Sequence, residues 1–203
     1  GDTMKKKKKN NLLTVIAVLL IVAGSSILIY DFVTKKMRDA NVEQHKISFL
    51  EDIANPPEKD NDIEPDVYGL LEIDSLDISL PVSTDGNFED LYNTLVAYSE
   101  APKPPKEGNF AIAGHNGACG LMCKFKDLHE IDPAEKEHIR FIDRANTYVY
   151  EIYYKEIVDK SDIWVLDPKE GETTLTLITC RYPSWTHPDR LVVQAKLVEV
   201  IPH

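Results

Sequence analysis

Leu12 to Tyr30 is a run of 19 residues without a charge, diluted only by Thr14, Gly24, Ser25 and Ser26. A helix of roughly 20 residues spans the ~30 Å hydrocarbon layer of a bilayer, so this run predicts a transmembrane anchor over residues 12–30. Lys5 to Lys9 precede it, and basic flanks stay cytoplasmic, which places residues 1–11 inside and everything after Tyr30 outside. Gly1-Asp2-Thr3 before Met4 reads as an expression remnant. A cleaved signal peptide is the rival reading, with Ala23-Gly24-Ser25 as small residues near a cut site. The run extends through Ile27-Leu28-Ile29-Tyr30, beyond the ~7–15 residues of a signal core, and an uncleaved anchor is the expectation.

With the anchor set aside, one folded domain has to come from what remains of the 203 residues. Residues 31–65 read as a polar helix and linker outside the cell, ending in a spacer marked by Pro56, Pro57 and Pro65 among acidic side chains. The folded domain spans 66–203. Five of the 23 Lys and Arg and one of the 34 Asp and Glu precede Asp31, leaving 18 basic against 33 acidic residues in the exported part. Neutralising phosphates needs clustered cations, so nucleic acid is excluded as a partner.

Short β-branched and aliphatic runs dominate this domain. Val67–Ile73 and Leu76–Val82 read as strands joined at Asp74-Ser75. Phe88, Leu91, Tyr92 and Leu95 share one helical face behind an Asn87 cap, and Pro102, Pro104 and Pro105 end that helix. Strands follow at Asn109–His115, His138–Ile142, Tyr148–Val158, Thr174–Cys180 and Leu191–Val200. At least seven strands with little helix predict an antiparallel or mixed β-barrel or sandwich.

Thr174-Leu175-Thr176-Leu177-Ile178-Thr179-Cys180 has a strand's period of two, with Thr174, Thr176, Ile178 and Cys180 on one face and Leu175, Leu177 and Thr179 on the other. A thiol therefore stands at a strand end, where catalytic groups often sit, although an isolated buried Cys is more often structural. His115 and Arg190 also stand at strand ends. The three residue types suit acyl transfer: a thiolate attacks, an imidazole exchanges protons with the leaving group, and a guanidinium holds an oxyanion without losing its own proton.

Thr176-Leu177-Ile178-Thr179-Cys180 followed by Arg190, with Ala113-Gly114-His115 upstream, resembles the sortases, the membrane-anchored cysteine transpeptidases of Gram-positive bacteria. The resemblance spans roughly Val67 to Val200. It implies a closed β-barrel of about eight strands with short helices, behind the N-terminal transmembrane helix. It also implies that Cys180 attacks the Thr-Gly carbonyl of a Leu-Pro-x-Thr-Gly-like sorting signal, that His115 moves protons, and that Arg190 binds the substrate backbone or the oxyanion. The partners would be sorting-signal peptides of surface proteins and an amine from a peptidoglycan precursor or a pilin lysine. Thr179, Trp185 and His187 are candidate substrate contacts. No cofactor is required; some members bind calcium, which the acidity permits, but no ligand set can be picked out. Gly114-His115-Asn116 looks like class B and Thr-Leu-Ile-Thr-Cys like class A, while Asp159–Glu172 is too short for the long helix of class B. The alternatives are a tethered thiol peptidase that only hydrolyses and a non-catalytic surface binding module.

Cys119 and Cys123 stand apart from this scheme. His115-x3-Cys119-x3-Cys123 is a poor zinc pattern, because zinc favours shorter Cys spacing and four ligands. A disulfide suits export, but a regular helix at this spacing points the thiols badly. Two reduced thiols, one or both packed inward, are the expectation.

Overall fold

The computed structural model describes residues 2–55, 67–117, 120–181 and 187–203. The chain forms two compact units, Gly1–Met37 and Arg38–His203. In the first, the apolar run lies on helix α1 (Asp2–Ala54), and its side chains, Leu20 and Leu28 among them, are exposed. The Ser26 and Thr34 hydroxyls donate to the carbonyls of Val22 and Tyr30, each at 2.8 Å, so these polar groups are satisfied within the helix. This helix is long and apolar enough to cross a membrane.

The second unit is a closed barrel of eight strands: β1 (Gly69–Ile73), β2 (Ile78–Ser83), β3 (Leu95–Ala97), β4 (Gly108–Ala113), β5 (His138–Ile142), β6 (Asn146–Val158), β7 (Thr173–Cys180) and β8 (Arg190–Pro202). They run in the order β1-β2-β3-β4-β7-β8-β6-β5, and β1 pairs with β5 to close the sheet. Two pairs, β2 with β3 and β4 with β7, are parallel; the rest are antiparallel. The interior is filled by alternating aliphatic and aromatic side chains, including Leu71, Ile112, Phe141, Tyr150, Leu175, Leu177 and Val193.

The strands read from sequence are present with shifted ends. β3 was not among them: Leu95 belongs to it, and the helix expected over Phe88–Leu95 is a short 310 turn, Phe88–Tyr92. Asn87 does cap that turn, accepting from Glu89 N at 3.1 Å. Leu95 leaves the helical face because pairing with β2 and β4 buries it completely.

A second apolar layer covers the outside of β4, β7 and β8. Ala111, Ile178 and Val192 pack there with Val158 and with Val165 from the connection between β6 and β7. That connection holds a 310 turn, Ile163–Leu166. Buried polar groups fix it in place. Thr176 Oγ1 donates to Asn109 Oδ1 at 2.7 Å, and Asn109 Nδ2 donates to the Val165 carbonyl at 2.8 Å. Each buried polar atom named here has a partner, which keeps its desolvation from becoming a net cost.

The Arg38–Ala54 stretch of α1 docks on the barrel. Val42 joins the main core, and Phe49 packs with Val67 and Leu70. Asp52 pairs with Arg144 at 2.9 Å, whose guanidinium also covers the Phe49 ring at 5.0 Å. The spacer read at residues 54–65 lies almost wholly outside the described residues.

Candidate active site

Strand direction brings the chemistry together. β4 and β7 are parallel neighbours, so their C-terminal ends reach the same end of the sheet; β8, antiparallel to β7, begins there. Cys180 is the last residue of β7, and Arg190, the first of β8, is its register partner. Cross-strand partners share a face with Cβ atoms ~5 Å apart, so the two side chains leave the sheet on the same side. Ala113 pairs with Ile178, and continuing that register by two residues puts His115 level with Cys180.

Three hydrogen bonds tie the loop after β4 to the end of β7. Gly114 N donates to the Ile178 carbonyl at 3.0 Å, Thr179 Oγ1 donates to the Gly114 carbonyl at 2.8 Å, and Asn116 Nδ2 donates to the Cys180 carbonyl. A side chain at Gly114 is impossible without rearrangement, because its Cβ would meet the Phe125 ring at 2.4 Å. His115 is thus carried on a backbone fixed from both sides. Its imidazole is half-buried, and burial holds its pKa below the ordinary histidine value. The Tyr92 ring lies against it with centroids 4.6 Å apart.

Cys180 is partly exposed and is the free cysteine among the described residues. Arg190 Nη1 donates to the Pro188 carbonyl at 2.6 Å. Its charge also acts on Tyr98, opposing the upward shift that burial gives that phenol. Arg181, next to Cys180, is paired instead with Asp189 at 3.2 Å.

Tyr98 lines a cavity of about 530 Å³ on the outer face, with Phe88, Ala111, Leu166 and Pro168. Ala111 pairs with Thr176, four residues before Cys180. At ~3.3 Å per residue the cavity and the thiol lie about 13 Å apart along one face of β7.

The other sequence candidates fall out differently. Thr179 is 3% exposed and faces inward, holding the histidine loop. His187 is half-buried in the segment leading to β8, and Trp185 lies outside the described residues. Asn116 and Tyr92 are not candidate site residues in the sequence; the fold brings them to the Cys180 carbonyl and the His115 ring. Among the described residues no cluster of three or more His, Cys, Asp or Glu converges on a metal position. The expectation of reduced thiols is corrected at Cys123, which is disulfide-bonded; Cys119 lies outside the described residues. The backbone before Cys123 is not a regular helix: Gly120 has φ 99° and is followed by a single 310 turn, Leu121–Cys123.

A Sortase domain family model matches residues 71–198. The chain belongs to the sortase family. Sortase D of Bacillus subtilis is 25% identical over 132 residues, 64% of this chain and 63% of that protein. Sortase A of Streptococcus agalactiae is 29% identical over 138 residues, 64% of this chain and 53% of that one. The chain thus spans between half and two thirds of the length of these two relatives. A Clostridium perfringens sortase D5 transpeptidase has the same fold, with TM-score 0.62 and 23% identity over 81% of this chain and 99% of that one. The sortase barrel and the ordered His, Cys and Arg at one end of it are features of the same stretch.

Proposed function

We propose that this sortase is a membrane-anchored cysteine transpeptidase in which Cys180 is the nucleophile, His115 the proton carrier and Arg190 the oxyanion or substrate-backbone ligand. One observation carries the reading: β4 and β7 end, and β8 begins, at one end of the sheet, and the outer face of the same strands bears a cavity lined by Tyr98, Ala111 and Leu166 together with Glu100, Glu107 and Asn109. The ~13 Å between cavity and thiol equals about four extended residues. That length suits a Leu-Pro-x-Thr-Gly-like signal, with the Leu-Pro end in the cavity beside Tyr98 and Leu166 and the Thr-Gly bond at Cys180.

The chemistry balances as two acyl transfers. Cys180 loses its proton to His115 and its sulfur attacks the Thr carbonyl carbon, while Arg190 holds the developing oxyanion. The C–N bond to Gly breaks as His115 returns the proton to the departing amine, leaving a thioester. An incoming amine then attacks the thioester carbon, gives its proton to His115, and the C–S bond breaks with the proton returned to sulfur. Burial favours the neutral imidazole, which is the form that accepts a proton in each half-reaction. The amine would come from a peptidoglycan precursor or a pilin, and the basic N-terminus would lie in the cytoplasm with the barrel outside.

The test is a sorting-peptide library incubated with the protein, with Cys180 adducts read by mass spectrometry. A thioacyl adduct that an added amine converts to ligated product supports the reading. If no library peptide acylates Cys180, the reading is wrong; if adducts form but only hydrolyse in the presence of oligoglycine, Lys and diaminopimelate amines, the protein is a peptidase.

A further inference from the structure

The contacts around His115 reach beyond the barrel strands. Tyr92, the last residue of the Phe88–Tyr92 turn, lies against the imidazole with its ring tilted by 45°. The Arg38 guanidinium covers the same Tyr92 ring at 4.5 Å. The next residue, Asp39, accepts from Leu121 N at 2.8 Å through Oδ1. A Cβ on Gly120 would meet that oxygen at 2.3 Å, so the carboxylate is set tightly against the backbone of the loop descending from His115. Two consecutive residues of α1 therefore grip both supports of the histidine: the aromatic ring on one side and its own loop on the other. This stretch of helix is itself anchored by Val42 and Phe49, each 1% exposed, and by the Asp52–Arg144 pair.

The hydrogen bonds from Gly114 and Asn116 fix the backbone around His115, but they leave its side-chain torsions free. The imidazole has two rotatable bonds, and proton transfer needs one particular nitrogen aimed at the sulfur and the leaving group. A ring packed against it at 4.6 Å restricts that freedom, and a cation 4.5 Å from the centroid of the ring holds the ring. We propose that Tyr92 and Arg38 are positioning residues for His115, making the Arg38–Ala54 stretch of α1 a working part of the active site rather than a spacer. The inference rests on His115 being the proton carrier.

The experiment uses the full chain in bilayer discs, with wild type, Tyr92→Ala, Tyr92→Phe, Arg38→Ala and Arg38→Lys. Two quantities are read: kcat and KM for transfer of an acylating peptide, and the NMR shifts of the His115 imidazole protons, assigned with His115→Gln. Tyr92→Ala is expected to move those shifts downfield, as the ring current is lost, and to lower kcat about tenfold with KM changed less than about twofold. Tyr92→Phe restores both. Arg38→Ala lowers kcat about threefold, and Arg38→Lys, which retains the cation, recovers it. Adduct-forming protein whose kcat and imidazole shifts ignore both Ala variants overturns the positioning role, as does a loss confined to stability or KM. Wild type that forms no Cys180 adduct yet keeps the ring-current shift overturns the proposed function instead, and with it the catalytic meaning of the Tyr92–His115 contact.

Discussion

The two faces of β7 are made of neighbouring residues and serve opposite ends. Leu175 and Leu177 point into the barrel and are fully buried among aliphatic and aromatic side chains. Thr174, Thr176, Ile178 and Cys180 point outward, where a polar network, a thin apolar layer and a cavity replace dense packing. The inner face supplies cohesion. The outer face gives some of it up: buried hydroxyls have to be hydrogen-bonded, and the cavity beyond Ala111 is left unfilled, which is what a strand needs if it is to bind something on that side.

Substitutions on the two faces should separate these properties. On the outer face, Cys180→Ala is expected to lower turnover by at least about 10⁴-fold, ~5 kcal/mol of transition-state stabilisation, while the urea midpoint stays at the wild-type value. On the inner face, Leu177→Ala should do the reverse. Removing a fully buried Leu costs about 3 kcal/mol in equilibrium denaturation, and the molecules that remain folded should still form the Cys180 adduct. If Leu177→Ala abolished the adduct in folded protein, the division of labour between the faces would be wrong.

Leu166→Ala sharpens the outer-face reading further, because this residue lines the cavity without touching the reacting end. It is expected to raise KM for the acylating peptide about tenfold, ~1.4 kcal/mol, with kcat little changed, checked by steady-state kinetics at saturating amine. A fall in kcat alone would place the peptide elsewhere. The smallest effect concerns His115. Burial depresses its folded pKa below the unfolded value of 6.5, so it favours the folded state above that value and loses this contribution as pH falls through the folded pKa. Thermal unfolding of wild type should therefore fall more steeply below pH ~6.5 than that of His115→Gln. Parallel curves would mean that the imidazole is not desolvated.

How much of this was legible before folding varies by residue. The alternation in Thr174–Cys180 identified β7, both of its faces and the thiol at its end, because a period of two is a local property of the backbone. The ends of β4 and β8 were read within two residues of His115 and Arg190 for the same reason. Leu95 lies seven, four and three residues after Phe88, Leu91 and Tyr92, which fits one face of a helix over about two turns, and only pairing with β2 and β4 overrides that spacing. Phe49 had no periodic partner in sequence, yet it is buried against Leu70, which is 21 positions further on. The helical geometry that disfavours a disulfide at Cys123 is absent, because the positive φ at Gly120 makes the local backbone unlike a helix.

The sequence by itself determined the apolar helix, the strand-rich domain after it, the order His115, Cys180, Arg190, and the acidic balance of the part after Tyr30. These follow from hydropathy, period and charge, each readable over a few residues. Tertiary structure alone decided that β4 lies parallel to β7, and so that Ala113, two residues before His115, pairs with Ile178, two residues before Cys180. It also decided that Asn116 reaches the Cys180 carbonyl and that Arg38 reaches His115 through Tyr92. Such contacts depend on how the barrel closes. Closure is set by the combined burial of all eight strands, and no short stretch of the chain encodes it.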